Sequence, residues 1–211
     1  MKVQLELLVD DFLDGFSVIF GDGLPCFVEL CFCGKFFVQR DDQTIKGVKN
    51  EDARDLARTA RIAASAAEPN CEAASVTNGW TRAINGYENR WIAPLASDGA
   101  WLELAWDTPQ KISQVQLTFD TGFQRELTLT KQDDFNERMI RAPQPETVKT
   151  YFIQYQPEGS AEWINLVTID SNHQRVRCHD FKTVQAKRIR IHVKETNGDK
   201  LARIFEVRCY V

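Results

Sequence analysis

Residues 151–170 read YFIQYQPEGSAEWINLVTID, residues 175–181 read RVRCHDF, and residues 186–210 read AKRIRIHVKETNGDKLARIFEVRCY. Their spacing decides the fold. Ile189, Ile191 and Val193 alternate with Arg188, Arg190 and His192, and Phe205, Val207 and Cys209 alternate with Glu206 and Arg208. A period of two sends successive side chains to opposite faces of a strand, one buried and one wet. Turn-forming residues separate the segments: Pro157-Glu158-Gly159-Ser160, Ser171-Asn172 and Asn197-Gly198-Asp199. Short strands at this spacing predict an all-β, antiparallel sandwich or barrel, a scaffold that recognises ligands with its loops.

Upstream, residues 101–106 (WLELAW) and 112–119 (ISQVQLTF) form two more strands, with Asp107-Thr108-Pro109-Gln110 as the turn between them. Residues 59–65 are the expected first strand. Residues 120–146 are long, polar and irregular, the pattern of a functional or mobile loop. Residues 41–55 (DDQTIKGVKNEDARD) are polar and turn-prone and read as a linker. Residues 1–40 differ from everything after them, holding seven of the thirteen Phe and three of the six Cys with no clean period. Residues 1–13 read as a short helix or strand. The segment is expected to be a remnant of a preceding domain, or a wrongly started or frame-shifted reading.

Composition narrows the function. Hydrophobic residues are 43% and charged residues 27% of the 211, the profile of an ordinary soluble domain, and the net charge is −4. Nucleic-acid binding needs a basic surface to neutralise phosphates and is not expected. Lys187, Arg188, Arg190 and Lys194 form a local basic group that reads as the solvated face of one strand. Asp14, Asp22, Pro25, Glu29 and Lys35 interrupt the Phe-rich stretch, so no membrane span is expected. No signal peptide is legible, and the compartment is unknown. Six cysteines do not make a dense disulfide framework in a chain this long, and Cys31-Phe32-Cys33 lacks zinc-ligand spacing.

Catalytic patterns are missing. The three histidines are His173, His179 and His192, and no HExxH, GxSxG, Walker or GxGxxG motif occurs. The expectation is a module that is not an enzyme, with no catalytic residues. The stretch TNGWTRAINGYENRWIAP (77–94) is more informative. Aromatic rings stack on the apolar faces of sugars, while Asn and Arg side chains satisfy hydroxyls. Trp80, Arg82, Tyr87, Asn89 and Arg90 are the expected ligand contacts, with Asn85 beside them. Tyr87 is the foremost candidate, whereas Trp91 reads as a plug of the sandwich core. Trp101, Trp106 and Trp163 lie in strands and read as core or second-layer residues. Glu206 reads as a polar-face residue pairing with a basic neighbour such as Arg188 or Arg190.

Val76-Thr77-Asn78-Gly79 with Trp91 downstream, then WLELAWDTPQKISQVQLTFD, YFIQYQPEGSAEWINLV, HDFKTVQAKRIRIHV and RIFEVRCY, resemble the discoidin or coagulation factor 5/8 type C family, which includes family 32 carbohydrate-binding modules. The resemblance covers residues 56–211. It implies a galactose-binding-like jelly-roll sandwich with ligands held by loops at one end. It also implies a structural calcium, for which the matching positions are Asn78 and Glu206; Asn78 stands where the family carries an aspartate. A narrower resemblance, from 39 to 211, is to the C-terminal part of bacterial FAD-dependent oxidoreductases. It implies a flavin only in a parent domain missing from this chain, and an exported parent. The expected partners are a glycan or a neighbouring catalytic domain. The alternatives are a fragment of such an oxidoreductase, and an interaction module without a small ligand.

Overall fold

The computed structural model describes the backbone of Phe16–Ile19, Pro25–Cys31 and Lys35–Arg40. It describes residues 49–211 except 85, 126–128, 130 and 132, with side chains from 49 onward, that of Phe135 excepted. Two compact units result, Met1–Lys49 and Asn50–Val211. In the first, β1 (Phe16–Ile19), β2 (Pro25–Cys31) and β3 (Lys35–Arg40) make an antiparallel sheet, with Phe16 opposite Val28 and Cys26 opposite Arg40. The expectation for residues 1–13 lies outside the described residues.

In the second unit the alternation seen in sequence becomes an antiparallel β-sandwich. Its strands are β4 (Arg61–Ala64), β5 (Trp91–Pro94), β6 (Ala100–Phe119), β7 (Val148–Gln156), β8 (Ile164–Ile169), β9 (Val176–Thr196) and β10 (Leu201–Tyr210). Among the described residues helix is confined to the short 3-10 turns Leu56–Thr59 and Ala73–Thr77 and one α-helix, α1 (Asp133–Arg138). Two long strands belong to both layers. Residues 100–105 of β6 pair with β4 and with residues 188–193 of β9, β9 there pairs onward to β7, and β7 to β8. Residues 114–118 of β6 pair with β10 and with residues 176–180 of β9, and β10 pairs onward to β5. Register shifts between Ala105 and Gln110 and between Ile112 and Gln114 mark where the strands bend from one layer to the other, the usual job of a bulge. The turn expected at 107–110 is therefore absent: Pro109 sits inside one continuous strand, at the stretch where the ladder is broken and its missing N–H costs nothing.

Between the layers lie Leu102, Leu104, Ile112, Leu117, Tyr151, Ile153, Ile189, Ile191 and Val193, all fully buried. Trp91 plugs this core, and its indole N–H donates to the Ala66 carbonyl at 2.8 Å, so the one polar atom of the ring is satisfied. Trp106 is buried likewise, donating to the Leu56 carbonyl at 2.9 Å. Trp101 and Trp163 are half-buried on the outside.

Two local expectations shift. The alternation of β10 slips at a bulge between Ile204 and Glu206, so Ile204, Val207 and Cys209 enter the core while Phe205 faces the other side. The sandwich also begins at Asn50, not at 56. Asn50 and Asp55 are buried, the Asn50 N–H donates to the Gly79 carbonyl at 2.8 Å, and Asp55 accepts the N–H groups of Ala57 and Cys209, both at 3.0 Å. The last residues of the expected linker thus cover β10 and cap the turn that follows.

Candidate functional site

The described parts of the loops 78–91, 120–147, 171–175 and 196–200 gather at one end of the sandwich, because β5, β10, β6 and β9 bring Trp91, Ile204, Phe119 and Val176 together. The base of loop 78–91 is braced by amides. Asn78 Oδ1 accepts the Trp80 N–H at 2.8 Å, Asn78 Nδ2 donates to Asn89 Oδ1 at 3.0 Å, and Asn89 Nδ2 donates to the Arg82 carbonyl at 3.1 Å. Asn89 holds φ of +49°, a left-handed conformation that Asn tolerates. Ile84 and Tyr87 exchange two backbone hydrogen bonds of 2.9 Å, closing a tight turn with Gly86 at φ +81°. Asn85-Gly86 in the sequence is the ordinary signal for such a turn. This hairpin lifts Tyr87 into solvent, where its ring is 74% exposed.

Arginines tie this loop to its neighbours. Arg90 pairs with the buried Asp120 and, at 2.5 Å, with Glu88. Asp120 also accepts the Gly122 N–H at 2.9 Å and lies 3.7 Å from Arg203, which in turn pairs with Asp199 at 2.7 Å. Arg175 donates to the carbonyls of Phe119 and Thr81, and its guanidinium lies 4.2 Å from the centre of the Phe123 ring and 5.1 Å from that of Phe205. Phe123 is 49% exposed, so the rim offers a second aromatic surface. Both ends of the 120–146 stretch are anchored. Arg125 clasps Glu146 and donates to Gln144 at 2.8 Å, and Gln124 donates to Glu146 at 3.0 Å. The Arg125 guanidinium holds the Glu146 carboxyl down at about 2.

The expected contacts therefore divide. Tyr87 and Arg82 sit on the rim, and among the described residues their side chains make no hydrogen bond or ion pair; Trp80 is half-buried beside them. Asn89 and Arg90 are spent on holding the loop. Asn85 lies outside the described residues. Phe123 and Arg175 stand on the same rim and belong to no sequence motif; only their meeting across the loops marks them.

The calcium expectation meets a different arrangement. Glu206 is buried, and its Oε2 accepts from Arg208 Nε at 2.7 Å, not from Arg188 or Arg190. Burial pushes the Glu206 carboxyl up, against the pull of Arg208. Asp55 is committed to two backbone N–H groups and to Asn50 Nδ2 at 3.1 Å, and the Asn78 amide oxygen to Trp80. Calcium takes six to eight oxygens, carboxylates among them. Of these oxygens only Glu206 Oε1 lacks a hydrogen-bond partner. Among the described residues no three acidic, His or Cys side chains come together as a metal would need. The side chains of Asn78 and Glu206 do not by themselves supply that set. Nor is any helix among the described residues long and apolar enough to cross a membrane.

Buried inside, His179 Nε2 and the Tyr151 hydroxyl are 2.8 Å apart. Burial lowers the His179 pKa to about 4, aided by Arg177.

Residues 55–131 match a family described as a domain of unknown function (DUF7402). No curated protein matches the chain. Solved structures share the fold. Chitosan-binding module 1 from the chitosanase/glucanase of Paenibacillus sp. IK-5 is 16% identical with a TM-score of 0.56, covering 74% of this chain and 98% of its own. A fucose-binding module of Streptococcus pneumoniae is 15% identical with a TM-score of 0.55, covering 74% and 97%. The family 32 carbohydrate-binding module of C. perfringens NanJ, solved with galactose, is 15% identical with a TM-score of 0.53, covering 74% and 97%.

Proposed function

We propose that the sandwich is a non-catalytic carbohydrate-binding module that holds sugar at its loop end. One observation carries this reading: two exposed aromatic rings, Tyr87 and Phe123, stand on loops whose backbones are braced by Asn78, Asn89 and Arg175. A ring with two side-chain torsions gives stacking area at little entropic cost, and a braced loop loses little freedom on binding. Arg82, half-buried on the rim and without a side-chain partner among the described residues, supplies donors for hydroxyls. The structures of similar fold that hold sugars, galactose in one and chitotriose in another, support the same assignment.

A single shallow site desolvates little area, so affinity is expected in the millimolar range, about −4 kcal/mol. Chemical-shift mapping with a panel that includes galactose, fucose and chitotriose is the test. Shifts around Tyr87 and Phe123, lost in Tyr87→Ala and Phe123→Ala, are expected. No shift with any sugar refutes the reading and favours docking to a neighbouring domain. The resemblance of residues 39–211 supports a place beside the flavin domain of an oxidoreductase. On that proposal the purified chain itself carries no flavin absorbance.

A further inference from the structure

The outward face of the β4–β6–β9–β7–β8 layer holds a second constellation, on strands and not on the loops of the loop end. Pairing sets its rows. Trp101, His192 and Phe152 lie abreast, then Ala63, Glu103, Arg190 and Gln154, then Arg61, Ala105, Arg188 and Gln156. Arg190 lies against two indoles, its guanidinium carbon 3.9 Å from the centre of the Trp163 ring and 4.9 Å from that of Trp101. The buried Glu103 carboxylate accepts a hydrogen bond from Arg190 at 3.2 Å and pairs ionically with Arg188 at 3.0 Å. Arg61, at the end of its row, is already paired with Asp107 at 2.7 Å. One carboxylate thus serves two guanidinium groups, and one positive charge remains uncompensated in these rows. It sits at Arg188, whose side chain is 47% exposed. Beside it Gln154 Nε2 donates to Asn165 Oδ1 at 2.7 Å, fixing a pair of amides on the same surface.

We propose that this face is a second binding site, for a carboxylate-bearing glycan such as an oligouronate. Three features select that chemistry. Partly exposed indoles at Trp101 and Trp163 offer surface for a sugar ring. Arg188, anchored through one nitrogen, retains donors in the planar fork that matches a carboxylate. Glu103 holds both guanidinium groups in place, so the cation is oriented before a ligand arrives. A neutral sugar leaves the residual charge unused. A nucleic acid needs many phosphate contacts, which a chain of net charge −4 does not supply. The basic group seen in the sequence at 187–194 is, on this reading, a recognition surface and not only a solvated face.

Titration of the full chain with trigalacturonate, and with maltotriose as the neutral counterpart, tests the proposal through tryptophan fluorescence and chemical-shift mapping. Saturable binding of trigalacturonate is expected, with shifts at Trp101, Trp163 and Arg188 and a several-fold loss of affinity from low salt to physiological ionic strength. Arg188→Gln and Trp163→Ala should each weaken it by about tenfold, equivalent to about 1.4 kcal/mol. Circular dichroism checks that both variants stay folded, and Arg188→Gln, a surface change, keeps the test open if Trp163→Ala does not. Absence of saturable binding overturns the proposal, as does equal binding of maltotriose or indifference to salt. Shifts confined to Tyr87 and Phe123 would move the acidic sugar to the loop end and overturn this site while leaving the loop-end reading intact.

Discussion

Arg208→Met leaves the Glu206 carboxylate buried without its guanidinium partner. The two side chains are 7% and 2% exposed and meet at 2.7 Å. An exposed ion pair contributes about 0–1 kcal/mol, but removing one member of a buried pair costs about 3–5 kcal/mol, because the remaining charge stays desolvated. For a domain of this size each kcal/mol moves the melting temperature by about 2–4 °C, so a fall of about 6–20 °C is expected. The loss should shrink as the pH is lowered. Burial already pushes the Glu206 carboxyl up, and without Arg208 it accepts a proton more readily still, which removes the buried charge. The double variant Glu206→Leu/Arg208→Met takes out both charges and should recover most of the loss. Urea and thermal melts followed by circular dichroism measure all three proteins. A loss under about 1 kcal/mol in Arg208→Met at neutral pH, or a double variant as unstable as the single one, would refute the reasoning.

Calcium and chelator are expected to leave the melting temperature unchanged, since Arg208 already neutralises Glu206 and Asp55 is committed to backbone N–H groups; a rise with calcium would reveal an oxygen cage that these residues do not present. His179 is held neutral, with a pKa of about 4 against about 6.5 when unfolded. The unfolded chain therefore binds the extra proton first, and stability is full above pH 6.5 and falls towards pH 4, by about 3 kcal/mol at most. His179→Gln should flatten that part of the pH–stability profile, and an unchanged slope would assign the loss elsewhere. Ile191→Ala, a large-to-small change at a fully buried site, should cost about 2–5 kcal/mol in the same melts.

The strands were legible because period-two alternation reports a buried face directly, and Ile189, Ile191 and Val193 do enter the core as their spacing predicts. What escaped is whatever depends on a bulge. Pro109 marks a turn in most sequences, yet here the strand bends between layers without reversing. One extra residue between Ile204 and Glu206 turned Phe205 away from the core, and local alternation carries no sign of it. The loop end was legible in part. The exposure of Tyr87 follows from its place in a polar turn beside Gly86, whereas the stacking of Arg175 on Phe123 joins residues from two loops. No spacing rule connects such a pair; only the closed sandwich does. Arg188 and Arg190 were seen as a basic strand face, but their shared partner, Glu103, comes from a strand more than eighty residues earlier.

Strand β10 is the last of the described strands, yet it lies in the interior of its sheet, between β5 and β6. During synthesis β5 and β6 emerge well before it, and the backbone groups they reserve for it have no partner until residues 201–210 arrive. The layer then closes at once, with Ile204, Val207 and Cys209 completing the core in the same event. Folding of this unit is thus held back until almost its whole length has left the ribosome, and pairings so distant in sequence are slow to form. For as long as that gap stays open, the nascent chain exposes two unpaired strand edges, the kind of template on which a foreign strand adds in the place that β10 will fill.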